Sequence, residues 1–416
     1  MRNSSFWWVL IVFMVLIDLY VFQALKFIAP QPGSRYRPVV LYGYWIISIG
    51  ALLTLLTLPY LHMEHQAKLT RTTIFAVIAG IFFAKLVASL FFAIDDIRRL
   101  IQWIAGKFFF SNTEVADLPT GNGISRSAFL TWTGMLFGGG IFATLVHGFG
   151  NKYNYQVKRV PLSFSNLPPA FRGLRILQLS DIHSGSFTKK EAVIHGVEKA
   201  MALKPDLILF TGDLVNNTAD EMDEYMDVFD KLKAPMGVYS SLGNHDYGDY
   251  ASWNSPEEKK ANLARLKDVH KQLGWRLLMN EHVAIEKEGQ QIALIGIENW
   301  SAKGNFPKYG DMARAYQDTS AYPFKILLSH DPSHWDAQVR QNYKDVDLML
   351  AGHTHGMQFG IEIPGFRWSP VQYMYRQWAG LYEKDNQKLY VNRGFGFIGY
   401  PGRVGILPEI TLLELT

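Results

Sequence analysis

Histidine, aspartate and asparagine residues recur in five short clusters in the second half of this chain. Together they offer seven candidate metal ligands, which are Asp181, His183, Asp213, Asn244, His330, His353 and His355. Imidazole nitrogens, carboxylates and an amide oxygen suit borderline divalent ions such as Mn, Fe, Co or Zn. These ligands are too many for one four-coordinate site, but they suit two metal ions that share a carboxylate. The sequence therefore predicts a centre with two divalent metal ions.

Each cluster also has a simpler explanation when it is taken alone. Gly212-Asp213 is a common turn signal, and an isolated histidine such as His330 is more often structural. However, Gly243-Asn244-His245-Asp246 follows a run of apolar and β-branched residues typical of a buried strand, and the other four clusters also follow predicted strands. Ligands bind at the carboxyl ends of strands in open α/β sheets. The shared position favours a functional site over coincidence.

Alternating strand and helix patterns from residue 174 onward position these clusters. They predict strands at 174–179, 207–210, 237–242, 276–278, 282–287, 291–297, 324–328, 348–350, 388–391 and 410–413. They predict helices at 189–203, 219–232 and 256–273. This order favours an α/β and α+β architecture in which two β-sheets pack face to face with helices outside. In Asp181-Ile182-His183 and His353-Thr354-His355, extended backbone would direct both side chains of a pair to one face.

The first 150 residues are strongly apolar and differ in character from the rest. Stretches of roughly 20 apolar residues, enough to span a bilayer, occur at 6–28, 39–61, 73–94 and 128–149. The fourth contains Gly138-Gly139-Gly140, which lowers its helix propensity, so a buried soluble helix is the alternative there. We expect a four-helix transmembrane anchor over 1–150, a polar, proline-containing linker over 151–173 and a soluble domain over 174–416.

Two charged residues, Asp18 and Lys85, fall in the middle of the first and third predicted spans. Charges within a bilayer are costly and are rarely unpaired. Spans one and three run in the same direction, and both residues lie roughly 18 Å from the same membrane face at about 1.5 Å per residue. We therefore predict that Asp18 and Lys85 pair inside the bundle. The alternative is a protonated Asp18 and a Lys85 that snorkels to the surface.

Composition narrows the chemistry further. The chain has no cysteine, which excludes disulfides and thiolate metal sites, so nitrogen and oxygen atoms must hold any metal. Its net charge of +4 is too small to favour nucleic acid as a partner, and no basic run is interleaved with aromatic residues.

In this order the five clusters resemble the pattern D-x-H, G-D, G-N-H-[DE], H, G-H-x-H of the calcineurin-like metallophosphoesterase superfamily, over about 174–415. The segments 390–397 and 408–415 resemble its bacterial, membrane-anchored YkuE/YaeI-like branch. One departure is Met357, since Gly356-Met357-Gln358 stands where that branch has G-G-Q. The resemblance implies the four-layer metallophosphoesterase fold, with two packed sheets flanked by helices.

The resemblance also implies a division of roles. The first metal would be held by Asp181, His183 and His355, the second by Asn244, His330 and His353, and Asp213 would bridge both. His245 would contact the phosphate and protonate the leaving alkoxide, with Asp246 orienting it. Separately, Arg393 and Arg403 flank glycine-rich turns, where an arginine is usually solvated but can also clamp a phosphate.

The function expected on this basis is hydrolysis of a phosphodiester or pyrophosphate bond by a hydroxide that bridges two metal ions. The substrate would be a phosphorylated, lipid-linked or cell-envelope molecule. One alternative is a pyrophosphatase of nucleotide-linked lipid precursors, of the UDP-diacylglucosamine type, at the cytoplasmic face. Another is a non-catalytic scaffold, against which the complete ligand set argues.

The side of the membrane is the remaining question. An even number of spans puts both termini on one side, and six basic residues flank the spans in either orientation. The segment Ser125–Leu130 resembles a twin-arginine export signal that lacks one arginine. We therefore expect a multi-pass protein of the bacterial inner membrane with its soluble domain outside the cytoplasm.

Overall fold

A computed structural model of the protein describes residues 5–57, 65–109 and 125–416. The chain forms two compact units, Met1–His147 and Gly148–Thr416. We call them the membrane unit and the catalytic unit, after the roles expected from the sequence.

The described part of the membrane unit consists of long apolar helices. They are α1 (Ser5–Ile28), α2 (Tyr36–Thr57), α3 (His65–Phe109) and α4 (Arg126–Gly148). Each contains a segment long and apolar enough to cross a membrane. The third helix extends well beyond the predicted span 73–94, because charged residues after it pair along the helix: Arg98 and Arg99 both contact Asp95. Residues 58–61 of the predicted second span lie outside the described part.

The predicted pairing of Asp18 with Lys85 is confirmed. The Lys85 Nζ lies 2.6 Å from Asp18 Oδ1 and donates a second hydrogen bond to Ser48 Oγ at 2.7 Å. The Tyr44 hydroxyl donates to Asp18 Oδ1 at 3.0 Å. Asp18 and Ser48 are fully buried, so the charge is neutralised inside the helix bundle.

The first sheet of the catalytic unit has six strands in the order β1-β14-β2-β3-β4-β5. Strand β14 runs antiparallel to β2, whereas the other neighbouring strands of this sheet are parallel. The strands are β1 (Gln156–Leu162), β2 (Arg175–Leu179), β3 (Leu207–Phe210), β4 (Val238–Ser240), β5 (Arg276–Leu277) and β14 (Glu409–Leu415).

The second sheet also has six strands, in the order β12-β13-β9-β8-β7-β6. Its outer pairs are antiparallel, and β7, β8, β9 and β13 are parallel. The strands are β6 (Glu281–Lys287), β7 (Gln290–Gly296), β8 (Lys325–Leu328), β9 (Leu348–Ala351), β12 (Gly380–Lys384) and β13 (Gln387–Val391). A separate hairpin pairs β10 (Ile361–Ile363) with β11 (Phe366–Trp368).

The two sheets pack face to face through a core that takes residues from both, such as Ile176, Leu209, Ile326 and Leu350. Helices cover the outer faces and complete the four layers. They are α5 (Lys190–Met201), α6 (Met226–Phe229), α7 (Pro256–Gln272), α8 (Met312–Tyr316) and α9 (Arg340–Asn342). Sequence patterns predicted this architecture, and the structure confirms it.

Two local expectations are wrong. The predicted linker 151–173 contains β1, which pairs in parallel register with β14 at the edge of the first sheet. Lys158, Arg159 and Pro161 hid this strand, because charged residues and proline are tolerated on an edge. The predicted helix 219–232 is a 3₁₀ turn at Ala219–Met222 followed by the short α6.

Candidate metal centre

The strand ends of both sheets bring the ligand clusters to one place. Residues 180–183 follow β2, 211–213 follow β3, and 241–246 follow β4 in the first sheet. Residues 329–331 follow β8 and 352–356 follow β9 in the second sheet. Because these strands are parallel within each sheet, their carboxyl ends share one edge, which is the location expected from the sequence.

One group of side chains consists of Asp181, His183 and His355, whose ligand atoms lie within 4.8 Å of one another. The Nε2 atoms of His183 and His355 are 3.0 Å apart. The His355 Nε2 is 3.2 Å from Asp181 Oδ1. All three side chains are buried.

The second group consists of Asp213, His330 and His353, again within 4.8 Å. Asn244 joins it, because its Oδ1 lies 2.8 Å from His353 Nδ1. Its amide nitrogen donates to the Tyr250 hydroxyl at 2.9 Å, which directs the amide oxygen toward the histidine.

Asp213 connects the two groups through a single oxygen atom. Its Oδ2 lies 3.1 Å from His330 Nε2 and 3.6 Å from His183 Nε2. The structure thus brings together all seven residues that the sequence singled out, and it places the carboxylate predicted to be shared between the groups.

The donor and acceptor pattern of these atoms fits divalent cations. His330 Nδ1 donates to the Thr211 carbonyl at 2.7 Å, so in the neutral ring Nε2 directs a lone pair at the Asp213 carboxylate. Against the cost of burial, Asp213 raises the pKa of His330 to about 10. The negative charge of Asp213, which would hold a proton on His330 Nε2, also favours a metal ion at this position.

The backbone at five of the seven ligands is left-handed rather than extended. The φ angles are 52° at Asp181, 49° at His183, 59° at Asp213, 72° at His353 and 50° at His355. The expectation that extended backbone aligns the ligand pairs is therefore wrong. Tight turns direct the side chains instead, and such conformations are costly for residues other than glycine and concentrate at functional sites.

His245 lies beside this centre and is half-buried. Its backbone amide donates to Asp213 Oδ1 at 2.8 Å, and its Nδ1 donates to the Asn216 carbonyl at 2.7 Å. The ring lies 4.5 Å from the Tyr250 ring, measured between centroids. A proton fixed on Nδ1 leaves Nε2 as the atom that exchanges protons with a bound molecule.

The predicted role of Asp246 is corrected by these contacts. Its carboxylate accepts hydrogen bonds from the backbone amides of Asp213 at 2.9 Å, Leu214 at 2.8 Å and Gly243 at 2.8 Å. Asp246 therefore fastens two ligand loops together, and the Asn216 carbonyl orients His245 instead. Burial, with a smaller contribution from Asp213, raises the pKa of Asp246 to about 7.

Arg393 and Arg403 also differ from their expected role, because both are buried. Arg393 pairs with Glu409 and, at 2.8 Å, with Glu362. The terminal nitrogens of Arg403 contact the carbonyls of Arg393 at 2.7 Å and Gly394 at 3.2 Å, and His355 Nδ1 at 3.1 Å. Neither guanidinium faces an open site, so a clamping role on the glycine-rich segment replaces the expected phosphate clamp.

Sequence reasoning missed two aromatic residues that hold ligands in place. The Tyr375 hydroxyl lies 2.9 Å from His353 Nε2 and donates to Asp331 Oδ2 at 3.3 Å. Tyr250 contacts both Asn244 and His245. The aromatic richness of 359–378 was visible in the sequence, but nothing in the sequence marked Tyr375 among its neighbours.

Comparisons with known proteins agree with this geometry. Residues 1–151 match the family described as "Probable Calcineurin-like phosphoesterase, transmembrane domain", and residues 174–357 match "Calcineurin-like phosphoesterase". The metallophosphoesterase YkuE of Bacillus subtilis is 31% identical over 60% of this chain and 82% of its own length. A "Transmembrane protein with metallophosphoesterase domain" from Danio rerio is 29% identical over 62% of this chain, which spans only 57% of that relative.

A third relative has a more specific name. The "UDP-2,3-diacylglucosamine pyrophosphatase LpxG" of Chlamydia trachomatis is 27% identical over 56% of this chain and 81% of its own length. With the apolar helices, the four-layer fold and the two ligand groups, these matches show that the chain is a membrane protein of the calcineurin-like metallophosphoesterase family.

Proposed function

We propose that the catalytic unit binds two divalent metal ions and hydrolyses a phosphodiester or pyrophosphate bond in a lipid-linked or cell-envelope substrate. The observation that carries this proposal is the position of Asp213 Oδ2, which lies within 3.6 Å of a histidine from each ligand group. A shared carboxylate is what two adjacent metal ions require. When bound, such ions activate water near neutral pH and neutralise charge on the phosphoryl oxygens.

Asp181, His183 and His355 would hold the first ion, and Asn244, His330 and His353 the second. Contacts outside the ligand set support this division because they fix the ring and amide orientations. Tyr375 contacts His353 Nε2, so Nδ1 of this ring would bind the ion. Tyr250 accepts a hydrogen bond from the amide nitrogen of Asn244, so Oδ1 would bind the ion. Loss of a supporting contact of this kind typically changes metal affinity or activity by about 10–100-fold.

His245 would supply the proton that the leaving group needs. Its Nδ1 is engaged with the Asn216 carbonyl, so the protonated ring carries its transferable proton on Nε2. The hydrogen bond from its backbone to Asp213 keeps the ring next to the shared carboxylate. A positioned general acid of this kind matters most for a poor leaving group such as an alkoxide.

The lipid-linked substrate is supported by two observations. Residues 1–151 match a transmembrane family domain, and the relative LpxG is named for a substrate with two acyl chains. We place the catalytic unit outside the cytoplasm and assign the anchor to 1–150. The alternative, a pyrophosphatase of nucleotide-linked lipid precursors at the cytoplasmic face, differs from it in the side of the membrane.

Two experiments test the proposal. The purified full chain should hydrolyse bis-p-nitrophenyl phosphate with Mn²⁺ and stop when a chelator removes the metal. A preparation that stays inactive with Mn, Fe, Co and Zn would contradict the enzymatic function and favour a scaffold. A topology reporter fused after Thr416 should report an extracytoplasmic location, and a cytoplasmic signal would favour the nucleotide-linked alternative.

A further inference from the structure

The hairpin of β10 and β11 has its polar and apolar faces reversed relative to a surface strand. Opposed residues in the hairpin are Ile361 with Trp368 and Ile363 with Phe366. Since side chains alternate along a strand, these four residues share one face. Ile361, Ile363 and Phe366 are about half exposed, with Ile363 at 58% and Phe366 at 53%. The apolar face of the hairpin therefore points away from the protein.

The polar face of the hairpin is the one that binds the rest of the catalytic unit. Glu362 accepts hydrogen bonds from Arg393 at 2.8 Å and Lys158 at 3.5 Å. Arg367, opposite Glu362, donates to the Ala379 carbonyl and lies over the Trp378 ring at 5.6 Å. These ionic and cation–π contacts hold the hairpin in one orientation, so they keep its apolar face directed outward.

Exposed apolar side chains on neighbouring segments enlarge this face. Tyr373 is 78% exposed and Met374 is 62% exposed, and Trp368 Nε1 donates to the Tyr373 hydroxyl at 3.4 Å. Met357 is also exposed although its φ is +56°, a conformation that glycine adopts at lower cost. Patches of this kind mark contacts with protein or membrane.

Contacts inside the catalytic unit connect the base of the hairpin to Gly148, the residue with which this unit begins. Gly360, just before β10, donates to the Val404 carbonyl at 2.9 Å. The backbone amide of Arg403, the residue before Val404, donates to the Gly148 carbonyl at 2.9 Å. Gly148 is the last residue of α4, and the candidate span that contains it runs from Arg126 to Tyr153. The base of the hairpin is thus linked to Gly148, the first residue of the catalytic unit.

We propose that the face formed by Ile361, Ile363, Phe366, Trp368, Tyr373 and Met374 docks into the interfacial region of the lipid bilayer. Tryptophan and tyrosine favour this region because their rings have apolar and polar parts, and the aliphatic side chains bury in the acyl boundary. The docked hairpin would hold the metal centre at the membrane surface. That last consequence rests on the proposed function, whereas the docking itself does not.

The test uses the absence of native cysteine in the chain. The variants F366C in the hairpin, I46C in α2 and E286C in β6 are labelled with an environment-sensitive fluorophore in the full chain. Ile46 is 72% exposed within a candidate span and serves as the lipid control, and Glu286, exposed on β6, serves as the aqueous control. Each protein is reconstituted in phosphatidylcholine–phosphatidylglycerol nanodiscs, with or without brominated acyl chains.

The label at position 366 should emit at shorter wavelength and lose fluorescence to the brominated lipid, as at position 46. The label at position 286 should respond to aqueous iodide instead. Iodide quenching at position 366 would overturn the proposal. So would a blue shift without quenching by brominated lipid, which would indicate a protein partner. M374C provides a second reading if F366C does not elute as a folded protein. No substrate is needed, so loss of docking and loss of hydrolysis are distinguished.

Discussion

Two buried clusters of charge, one in each unit of the chain, satisfy their polar atoms in opposite ways. In the membrane unit, the Lys85 ammonium donates to both Asp18 and Ser48, and Tyr44 donates to Asp18. In the catalytic unit, the imidazoles of His183 and His355 face each other at 3.0 Å, and carboxylates approach the same place. The first cluster includes the Lys85 ammonium, which neutralises its carboxylate. In the second cluster, imidazole nitrogens and carboxylate oxygens converge on one place.

This difference separates a structural ion pair from a ligand site. Removing one partner of a buried pair leaves an uncompensated charge and destabilises the fold. Removing one acceptor from a set that surrounds a metal ion lowers affinity for the ion, while the fold retains its hydrophobic core. Variants at the two clusters should therefore have separate effects, on stability in one case and on metal content and catalysis in the other.

The largest effect is expected for Asp213→Asn, which neutralises the shared carboxylate. We expect loss of at least one metal ion and a fall in kcat of about 10⁴-fold, since metal functions contribute several kcal/mol and about 1.4 kcal/mol is tenfold in rate. Metal content is measured by elemental analysis and activity with bis-p-nitrophenyl phosphate.

Asp18→Asn is the matched control for that variant, because it makes the same chemical change at the other buried cluster. It should lower thermal stability in detergent while metal content per folded molecule stays at the wild-type level. If Asp213→Asn retains both metals and its activity, or if Asp18→Asn loses metal, the two clusters do not differ as a metal site differs from a structural ion pair.

The next effect concerns His245, which lies beside the metal centre and is not placed as a ligand. His245→Ala should lower kcat on the order of 10³-fold for an alkyl leaving group and less for p-nitrophenolate, which needs little protonation. Both metals should stay bound. A metal ion missing from this variant would instead make His245 a ligand. A loss that is the same for both leaving groups would exclude it as the general acid.

Much of the metal centre could be predicted because its signals are local. Ligand types, strand ends and their order along the chain are visible in the sequence, and β3 occurs at the predicted residues. The direction of a side chain in a tight turn is not visible. Asp246 follows His245 directly, yet its carboxylate points to backbone amides, and the Asn216 carbonyl contacts the histidine.

Other features escaped prediction because they depend on distant partners. Strand β1 forms only because β14, from the other end of the catalytic unit, pairs with it. Arg403 reads as a solvated turn residue, but the chain folds around it and its guanidinium contacts backbone carbonyls. The β10–β11 hairpin puts apolar residues outside, so the usual rule for strand faces gives the wrong orientation. The pairing of Asp18 with Lys85, by contrast, was predictable, because the number of residues from the start of a membrane helix gives the depth of a side chain in the bilayer.

The third prediction tests whether the membrane cluster is a true pair. Asp18→Lys and Lys85→Asp should each destabilise the protein in detergent by about 2.5–3.5 kcal/mol, the cost of an unpaired charge on insertion scales. The double reversal should recover much of the loss, because the pair is restored with opposite polarity. Unfolding of the wild type, the two single variants and the double variant is measured in the same detergent. Strictly additive single effects would show that the contact with Ser48 and Tyr44, rather than the ion pair, stabilises the bundle.

The smallest effect concerns His270, a buried histidine of the catalytic unit outside the ligand set. Its Nδ1 contacts Ser240 Oγ at 2.9 Å, and the rings of Phe210 and Trp275 lie nearby. Burial lowers the pKa of His270 to about 3. This imidazole has neither the carboxylate that His330 faces nor a role in metal binding, so it tests the effect of burial on a histidine by itself.

The sign follows from proton binding. An unfolded histidine has a pKa of about 6.5, so below that pH the unfolded chain takes up a proton that folded His270 does not. The free energy of unfolding should therefore fall with pH from about 6.5 downward, by about 2 kcal/mol at pH 5, since one pKa unit is about 1.4 kcal/mol. In His270→Gln this part of the pH dependence should disappear, whatever the variant's stability at pH 7. His195→Gln, at an exposed helix position, is the control for the same substitution at a histidine that is not buried. An unchanged slope in His270→Gln would mean that buried imidazoles outside the metal centre do not limit stability in acid.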